Sequence, residues 1–179
     1  MNHLPIWYMG QLGHEMCDRV VSELSVIETK TATMGVDGSE TDVAMRKTQV
    51  RFADAGYWLE GIFERFAVEA NKHCKWEYHL TGAERVQFAE YGPENHYGWH
   101  VDTFTLSGNP IDRKITVICL LNDEFDGGTF EVRLYSDYKV PLVKGSMIAF
   151  PSILEHRVVP VIEGTRYSAT MWFNGPRFR

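Results

Sequence analysis

Two stretches in the first half of the chain have the apolar spacing of amphipathic helices. Apolar residues within Cys17–Leu24 fall at positions i, i+3, i+4 and i+7, which places them on one helical face. The stretch Leu59–Ala70 repeats this spacing with larger side chains. Because each apolar stripe needs a broad partner, we expect both helices to pack against a sheet.

From residue 81 onward, short apolar runs alternate with turn-forming residues such as Gly127-Gly128, Ser136-Asp137 and Lys144-Gly145. Eight strands are predicted, at 85–91, 97–102, 114–122, 129–134, 139–143, 146–151, 156–161 and 165–173. An earlier strand at 46–52 is a further candidate. The pattern predicts an α+β fold, a jelly roll braced by N-terminal helices. We expect one domain over 1–179, with a helical preface at 1–80 and the jelly-roll core at 81–179.

Composition and charge exclude several classes of protein. The 179 residues include 18 Lys+Arg and 24 Asp+Glu, so the net charge is −6, which disfavours a dedicated nucleic-acid binder. Apolar runs are far shorter than the roughly twenty residues of a membrane span, and no secretory signal is evident. Three widely spaced cysteines, Cys17, Cys74 and Cys119, predict reduced thiols and a cytoplasmic location.

One polar segment, residues 29–42, has two glycines and no apolar periodicity. Aperiodic loops of this length often cover binding sites. The segment is therefore predicted to be a lid that orders over a substrate.

The strongest chemical signal combines His100, Asp102 and His156. Residues two apart on a strand share a face, so His100 and Asp102 converge. A jelly roll pairs its strands in a nested way, first with eighth and second with seventh. His156 opens the seventh strand and should therefore join them. Two histidines and one carboxylate form the facial triad that holds iron(II) with positions left open.

Arg166 opens the predicted eighth strand and should face the same interior. A buried guanidinium is costly unless it meets an anion, and its planar fork suits a carboxylate such as that of a dicarboxylate cosubstrate. Tyr91 ends the first strand, next to the eighth, and can offer a hydroxyl to the same ligand. The sequence therefore predicts an anion site beside the metal site.

Over residues 85–178 the chain resembles the iron(II)- and 2-oxoglutarate-dependent dioxygenases, and specifically their prolyl 4-hydroxylase-like group. The motifs that carry the resemblance are Tyr91, Tyr97, His100-x-Asp102, Arg113, Leu121-Asn122, Gly127-Gly128-Thr-Phe, Gly145-Ser, Phe150-Pro151, His156, Val158, Pro160, Gly164-Thr-Arg166-Tyr-Ser and Trp172. It implies a double-stranded β-helix that takes Fe(2+), 2-oxoglutarate and O2, with ascorbate as a candidate reductant.

The resemblance also implies the role of each site residue. His100, Asp102 and His156 would be the metal-binding and catalytic residues, and Arg166 would bind the distal carboxylate of 2-oxoglutarate. Several relatives support that carboxylate with a Tyr where this chain has Leu120. The residues that could compensate are Thr116, Ser168, Thr170 and Tyr91, and the last three are predicted as cofactor-binding residues beside Arg166.

Substrate contacts are predicted for Trp172, Tyr97 and Arg46, and Trp99 adds a further aromatic ring near the ligand strands. An aromatic groove would suit the ring faces of an extended, proline-containing peptide. The leading expectation is hydroxylation of a C–H bond in peptidyl proline, with decarboxylation of 2-oxoglutarate to succinate.

Three alternative functions compete with this one. Hydroxylation of free proline or another small molecule stays open, because the fold and the triad do not distinguish it. A non-catalytic jelly-roll module that keeps a metal for structure also stays open. A nucleic-acid demethylase is disfavoured because Trp172 stands where such enzymes carry a second arginine. The expected partners are a peptide or small-molecule substrate, without nucleic acid or membrane, and the oligomeric state is left undetermined.

Overall fold

The computed structural model describes residues 5–28, 30–31, 45–104 and 110–177. Its helices are α1 (His14–Leu24) and α2 (Trp58–His73). The strands are β1 (Tyr8–Gln11), β2 (Lys30–Thr31), β3 (Arg46–Lys47), β4 (Gln49–Phe52), β5 (Gly82–Ala83), β6 (Gln87–Tyr91), β7 (His96–His100), β8 (Ile111–Leu120), β9 (Phe125–Gly127), β10 (Phe130–Arg133), β11 (Asp137–Lys139), β12 (Ser146–Pro151), β13 (Glu155–Val158), β14 (Val161–Gly164) and β15 (Arg166–Pro176).

The strands form two main sheets with antiparallel pairing. The larger sheet has the order β1-β12-β8-β15-β6-β4-β2, with β5 paired to β15, and the smaller has the order β11-β10-β13-β7-β3. The nested pairing expected from the sequence is confirmed in β6 with β15, β7 with β13, β8 with β12, and β10 with β11. This pairing brings distant parts of the chain to one interior.

Alternation along the strands separates two apolar cores. One core lies between the helices and the outer face of the larger sheet, and it includes Phe63 and Phe66 of α2 and Met171 of β15. The other lies between the sheets, around Phe130 and Phe150. Both helical stripes predicted from the sequence face this core, with Leu59 and Phe63 fully covered and Val21 and Ile62 partly buried. The helices therefore pack on one outer face of the sandwich and do not fill the space between the sheets.

The first eighty residues also contribute the strands β1 to β4, and β3 and β4 lie within the strand expected at 46–52. β1 pairs with β12 at one edge of the larger sheet, and β4 pairs with β6 near the other. β3 instead pairs with β7 of the smaller sheet. Residues 46–52 thus pass from one sheet to the other and close one side of the sandwich.

Two predicted strands were wrong in their limits. The strand expected at 139–143 ends at Lys139, because Pro141 has no N–H to continue a ladder and Leu142 N–H instead bonds to Val140 O (2.9 Å). The strand expected at 156–161 is two strands, β13 and β14, with Pro160 between them. The two-stranded sheet of β14 and β9 was not predicted.

No helix in the described ranges is long and apolar enough to cross a membrane.

Candidate active site

His100, Asp102 and His156 come together as the nested pairing predicts. His100 and His156 are direct partners across β7 and β13. Asp102 follows the end of β7, where its N–H bonds to Ser152 O (2.9 Å). The potential ligand atoms of the three residues lie within 4.8 Å of one another. The cavity that contains the group is lined by residues of both sheets.

Both histidines present the same ring nitrogen to this group. His100 Nδ1 lies 2.8 Å from Gly98 O, and His156 Nδ1 lies 2.8 Å from Leu154 O. A carbonyl oxygen can only accept, so each Nδ1 carries a proton, and in a neutral imidazole Nε2 then keeps its lone pair. The Nε2 atoms point at Asp102, 3.6 Å from Oδ1 for His100 and 3.5 Å from Oδ2 for His156.

The protonation states suit a cation. Burial lowers the pKa of His100 to about 3, helped by the neighbouring His156. Burial alone would raise the pKa of Asp102, but His156, His100 and Arg113 outweigh it and hold that pKa to about 2. A neutral His100 imidazole and an ionised Asp102 are the forms in which these groups bind metals. The donor set therefore fits a divalent cation.

A pair of hydroxyl groups supports Asp102 from behind. Thr116 Oγ1 donates to Asp102 Oδ2 (2.8 Å) and lies 3.0 Å from Ser152 Oγ. Because the Thr116 proton goes to the carboxylate, Ser152 is the donor to Thr116. The Thr116 hydroxyl therefore contacts a metal-binding candidate, in place of the cosubstrate carboxylate expected from the sequence.

Arg166 lies on the same interior face and is almost completely buried, at 1% exposure. On β15, Arg166, Ser168, Thr170 and Trp172 line the cavity that also contains the metal-binding candidates, while Ala169, Met171 and Phe173 pack into the helical core. This alternation is what a strand with two different buried faces requires.

The guanidinium group of Arg166 lacks a carboxylate partner within the described ranges. Nη1 donates to Ser168 Oγ (3.0 Å), whereas the buried Nε has no hydrogen bond. Burial lowers the pKa of Arg166 from its usual high value. A buried cation without a counter-charge is strongly disfavoured, so the arrangement favours an anionic ligand.

Two neighbours shape the space around Arg166. Tyr91 is its direct partner across β6 and β15, and the Arg166 Cζ lies 5.4 Å from the Tyr91 ring centre. Gly128 has a φ of +57°, and a Cβ there would lie 2.9 Å from Arg166 Cδ. The Gly127-Gly128 turn thus gives the arginine stem room that any side chain would take away.

Tyr97 and Arg46 form a stack on His100. The Tyr97 and His100 rings lie 3.4 Å apart with an interplanar angle of 11°, and Arg46 Cζ lies 4.5 Å from the Tyr97 ring centre. Burial raises the pKa of Tyr97 to about 12, so it stays neutral. All three residues predicted as substrate contacts, Tyr97, Arg46 and Trp172, line the cavity.

The Tyr97–His100 contact depends on an irregularity in β7. Residues three apart should face opposite sides of a regular strand. Here the register shifts, because Val158 pairs with Tyr97 while His156 pairs with His100. Trp99 directly precedes His100 and faces the other side of β7, where its ring lies 3.9 Å from Arg133 Cζ and 4.6 Å from Arg157 Cζ. The expectation that Trp99 joins an aromatic groove was therefore wrong.

Sequence reasoning missed one polar residue of the cavity wall. Gln87 is buried on β6 opposite Thr170 of β15 and lines the cavity. Its position two alternations before Tyr91 on the same strand was the available signal. Leu120, where relatives carry a Tyr, is paired with Ser168 but is not a lining residue.

The lid expected at 29–42 lies outside the described residues, apart from Lys30 and Thr31, which form β2 against β4. Of the histidines that the structure describes, His14, His73, His79 and His96 are not part of the potential metal-binding group. The three cysteines are free and buried, as expected of reduced thiols.

The sequence matches a family profile and several known hydroxylases. A sequence profile of the 2OG-Fe(II) oxygenase superfamily matches residues 86–174. A PKHD-type hydroxylase of Herminiimonas arsenicoxydans is 33% identical over 92 residues, 48% of this chain and 41% of that protein. Another from Picosynechococcus is 34% identical over 111 residues, 60% of this chain and 50% of that protein. The matches span half or less of these relatives.

Solved structures resemble nearly the whole chain. A Pseudomonas putida prolyl-4-hydroxylase has a TM-score of 0.70 and 22% identity, over 97% of this chain and 94% of that one. A prolyl hydroxylase from Trichoplax adhaerens, in complex with a hypoxia inducible factor oxygen degradation domain peptide, has a TM-score of 0.75 and 17% identity, over 94% and 83%. At these identities the likeness shows a shared fold, the double-stranded β-helix.

Proposed function

Because the chain belongs to the 2OG-Fe(II) oxygenase superfamily, whose members use Fe(2+), 2-oxoglutarate and O2, we propose that it hydroxylates a prolyl residue of a peptide. In this proposal His100, Asp102 and His156 bind the iron, and Arg166 binds the distal carboxylate of 2-oxoglutarate. One observation carries it: a buried guanidinium without a described counter-charge lines the same cavity as a two-histidine, one-carboxylate group.

The chain's own residues would position the reactants. His100 and His156 offer Nε2 lone pairs that their Nδ1 hydrogen bonds orient, and Asp102 contributes the negative charge. Arg166 presents its planar fork to a carboxylate, with Ser168 on one nitrogen. Bound iron(II) would supply activation of dioxygen, coupled to decarboxylation of 2-oxoglutarate to succinate and CO2. Tyr91 and Thr170 would complete the cosubstrate wall.

Support for a prolyl substrate comes from the cavity mouth and from relatives. Tyr97 and Trp172 offer ring faces beside the metal-binding candidates, and aromatic faces pack well on a pyrrolidine ring. Prolyl hydroxylases are among the proteins that share the fold. Hydroxylation of free proline is the second candidate, since the same rings would hold the free amino acid.

The experiment that tests the function is succinate formation with iron(II), 2-oxoglutarate and ascorbate, with and without a proline-containing peptide. We expect slow succinate formation alone, faster formation with peptide, and a peptide product heavier by one oxygen. His156→Ala should lose metal uptake and turnover while keeping the fold. Robust metal uptake without any succinate would instead support a non-catalytic metal-binding module.

The proposed role of Arg166 predicts a selective defect. Arg166→Lys keeps the charge but loses the bidentate fork, so the apparent affinity for 2-oxoglutarate should fall at least tenfold. Titration with 2-oxoglutarate measures this, and an iron(II) titration of the same variant should match the parent. If Arg166→Ala bound 2-oxoglutarate as tightly as the parent, another residue would hold the carboxylate.

A further inference from the structure

The cavity contains a second arginine that the cosubstrate does not require. Arg46 lines the same space as His100 and Arg166. Its Nε is buried without a hydrogen bond, and no acidic side chain in the described ranges forms an ion pair with it. Its neighbour Lys47 differs, because Lys47 lies on the exposed side of β3 and has Glu94 within 3.5 Å.

Arg46 lies over the Tyr97 ring, and its Nε finds no hydrogen-bond partner among the residues that the structure describes. The Arg46 Cζ lies over the Tyr97 ring, 4.5 Å from its centre. The N–H groups of a stacked guanidinium point sideways in its plane, which is the geometry that binds a carboxylate. Since Tyr97 itself stacks on His100, an anion on that edge would lie beside the proposed metal centre.

The net charge of the cavity also favours an anionic substrate group. The charged side chains among its described lining residues are Arg46, Arg166 and Asp102. Under the proposed function, iron(II) adds two positive charges and 2-oxoglutarate adds two negative ones. One positive charge then remains, and a substrate carboxylate would neutralise it.

We propose that the substrate carries a carboxylate group that Arg46 binds, so that Arg46 selects anionic over neutral substrates. This inference rests on the proposed function and adds the chemical class of the substrate. The carboxylate can belong to an acidic side chain next to the proline, to a C-terminal proline or to free proline, and the experiment separates these sources.

Three matched pairs of compounds test the selection. They are peptides with Pro-Glu or Pro-Gln, peptides ending in proline as the acid or the amide, and free L-proline or L-prolinamide. Each pair differs in one negative charge at nearly constant shape. One-oxygen products are counted by mass spectrometry, and equilibrium binding is measured with zinc(II) in place of iron, because zinc supports no redox turnover.

For the protein as it stands we expect the acid of at least one pair to be used and bound tenfold or more better than its neutral partner. Arg46→Gln should remove that preference, Arg46→Lys should keep part of it, and Lys47→Gln should leave it unchanged. Lys47→Gln should also leave succinate formation without substrate unchanged, because Lys47 is not among the lining residues of the cavity.

Two results would overturn the assignment. One is equal binding of acid and neutral compounds in every pair, which needs no variant and holds even if Arg46→Gln fails to fold. The other is an acid preference that survives in folded Arg46→Gln. Failure of the proposed function looks different, since it would abolish succinate formation with 2-oxoglutarate in the unmodified protein.

Discussion

Thr116 of the larger sheet forms a hydrogen bond with Asp102, one of the three metal-binding candidates. It is fully buried on β8, where its neighbours Ile115 and Val117 face the helical core. Its hydroxyl reaches Asp102 Oδ2 at 2.8 Å. Because that bond occupies a lone pair of Oδ2, it holds the Asp102 carboxylate in the orientation in which its oxygens face the two imidazoles.

A prediction at this scale concerns Thr116→Val, which removes the hydroxyl at nearly constant shape. Outer hydrogen bonds of this kind contribute roughly ten- to a hundredfold to metal affinity, so iron(II) affinity should fall by about tenfold or more. Thr116→Ser keeps the hydroxyl and serves as the control. Calorimetric titration of both variants with iron(II) under anaerobic conditions measures the effect. Equal affinity in the valine variant would mean that Asp102 needs no such support.

At the scale of elements, the glycine turn between β9 and β10 determines whether Arg166 fits. Gly128 combines a φ of +57° with a Cβ position 3.1 Å from both Phe125 and Val161, besides its contact with Arg166. Only glycine meets both conditions without strain. The turn is thus part of the anion site although it carries no side chain.

Gly128→Ala should therefore lower the free energy of unfolding by about 1–3 kcal/mol and also weaken 2-oxoglutarate binding, because Arg166 must move. Gly61→Ala is the matched control, since Gly61 lies within α2 with nothing within 4 Å of its Cβ position. That change should stabilise the protein by roughly 0.5–1 kcal/mol. Urea unfolding measures both, and an unaffected Gly128→Ala variant would contradict the steric account.

Some features of the fold and the candidate site were predictable from the sequence, and others were not. The nesting of strands, with His156 opposite His100, follows from counting strands in order, so the candidate metal group was predictable. The register shift in β7 was not, because alternation alone would separate Tyr97 from His100. The crossing of residues 46–52 between the sheets was not predictable either, because it depends on pairing with β6 and β7, which lie far along the chain.

For the molecule as a whole, the buried ionisable groups make stability depend on pH. His100 has a pKa of about 3 when folded because burial disfavours its charged form, against an ordinary value of 6.5. The unfolded chain therefore binds a proton at His100 between these values and the folded chain does not. Stability must fall as the pH decreases through this window.

The metal-free protein should accordingly lose up to about 1.4 kcal/mol of unfolding free energy per pH unit from His100 alone, between pH 6.5 and 3. Urea unfolding at pH 7, 6 and 5 in the presence of a chelator measures the slope. The slope should flatten in His100→Gln and persist in His14→Gln, a substitution of an exposed histidine. An identical slope in His100→Gln would place the titrating group elsewhere.

The two-faced strand β15 has a consequence for quality control in the cell. A slip of this strand by one residue would push Arg166 and Ser168 into the helical core and turn Met171 and Phe173 toward the cavity. Such a chain would be too unstable to persist, and proteases would remove it. The population that survives therefore has its anion-binding residues in place, because the same alternation decides both survival and chemistry.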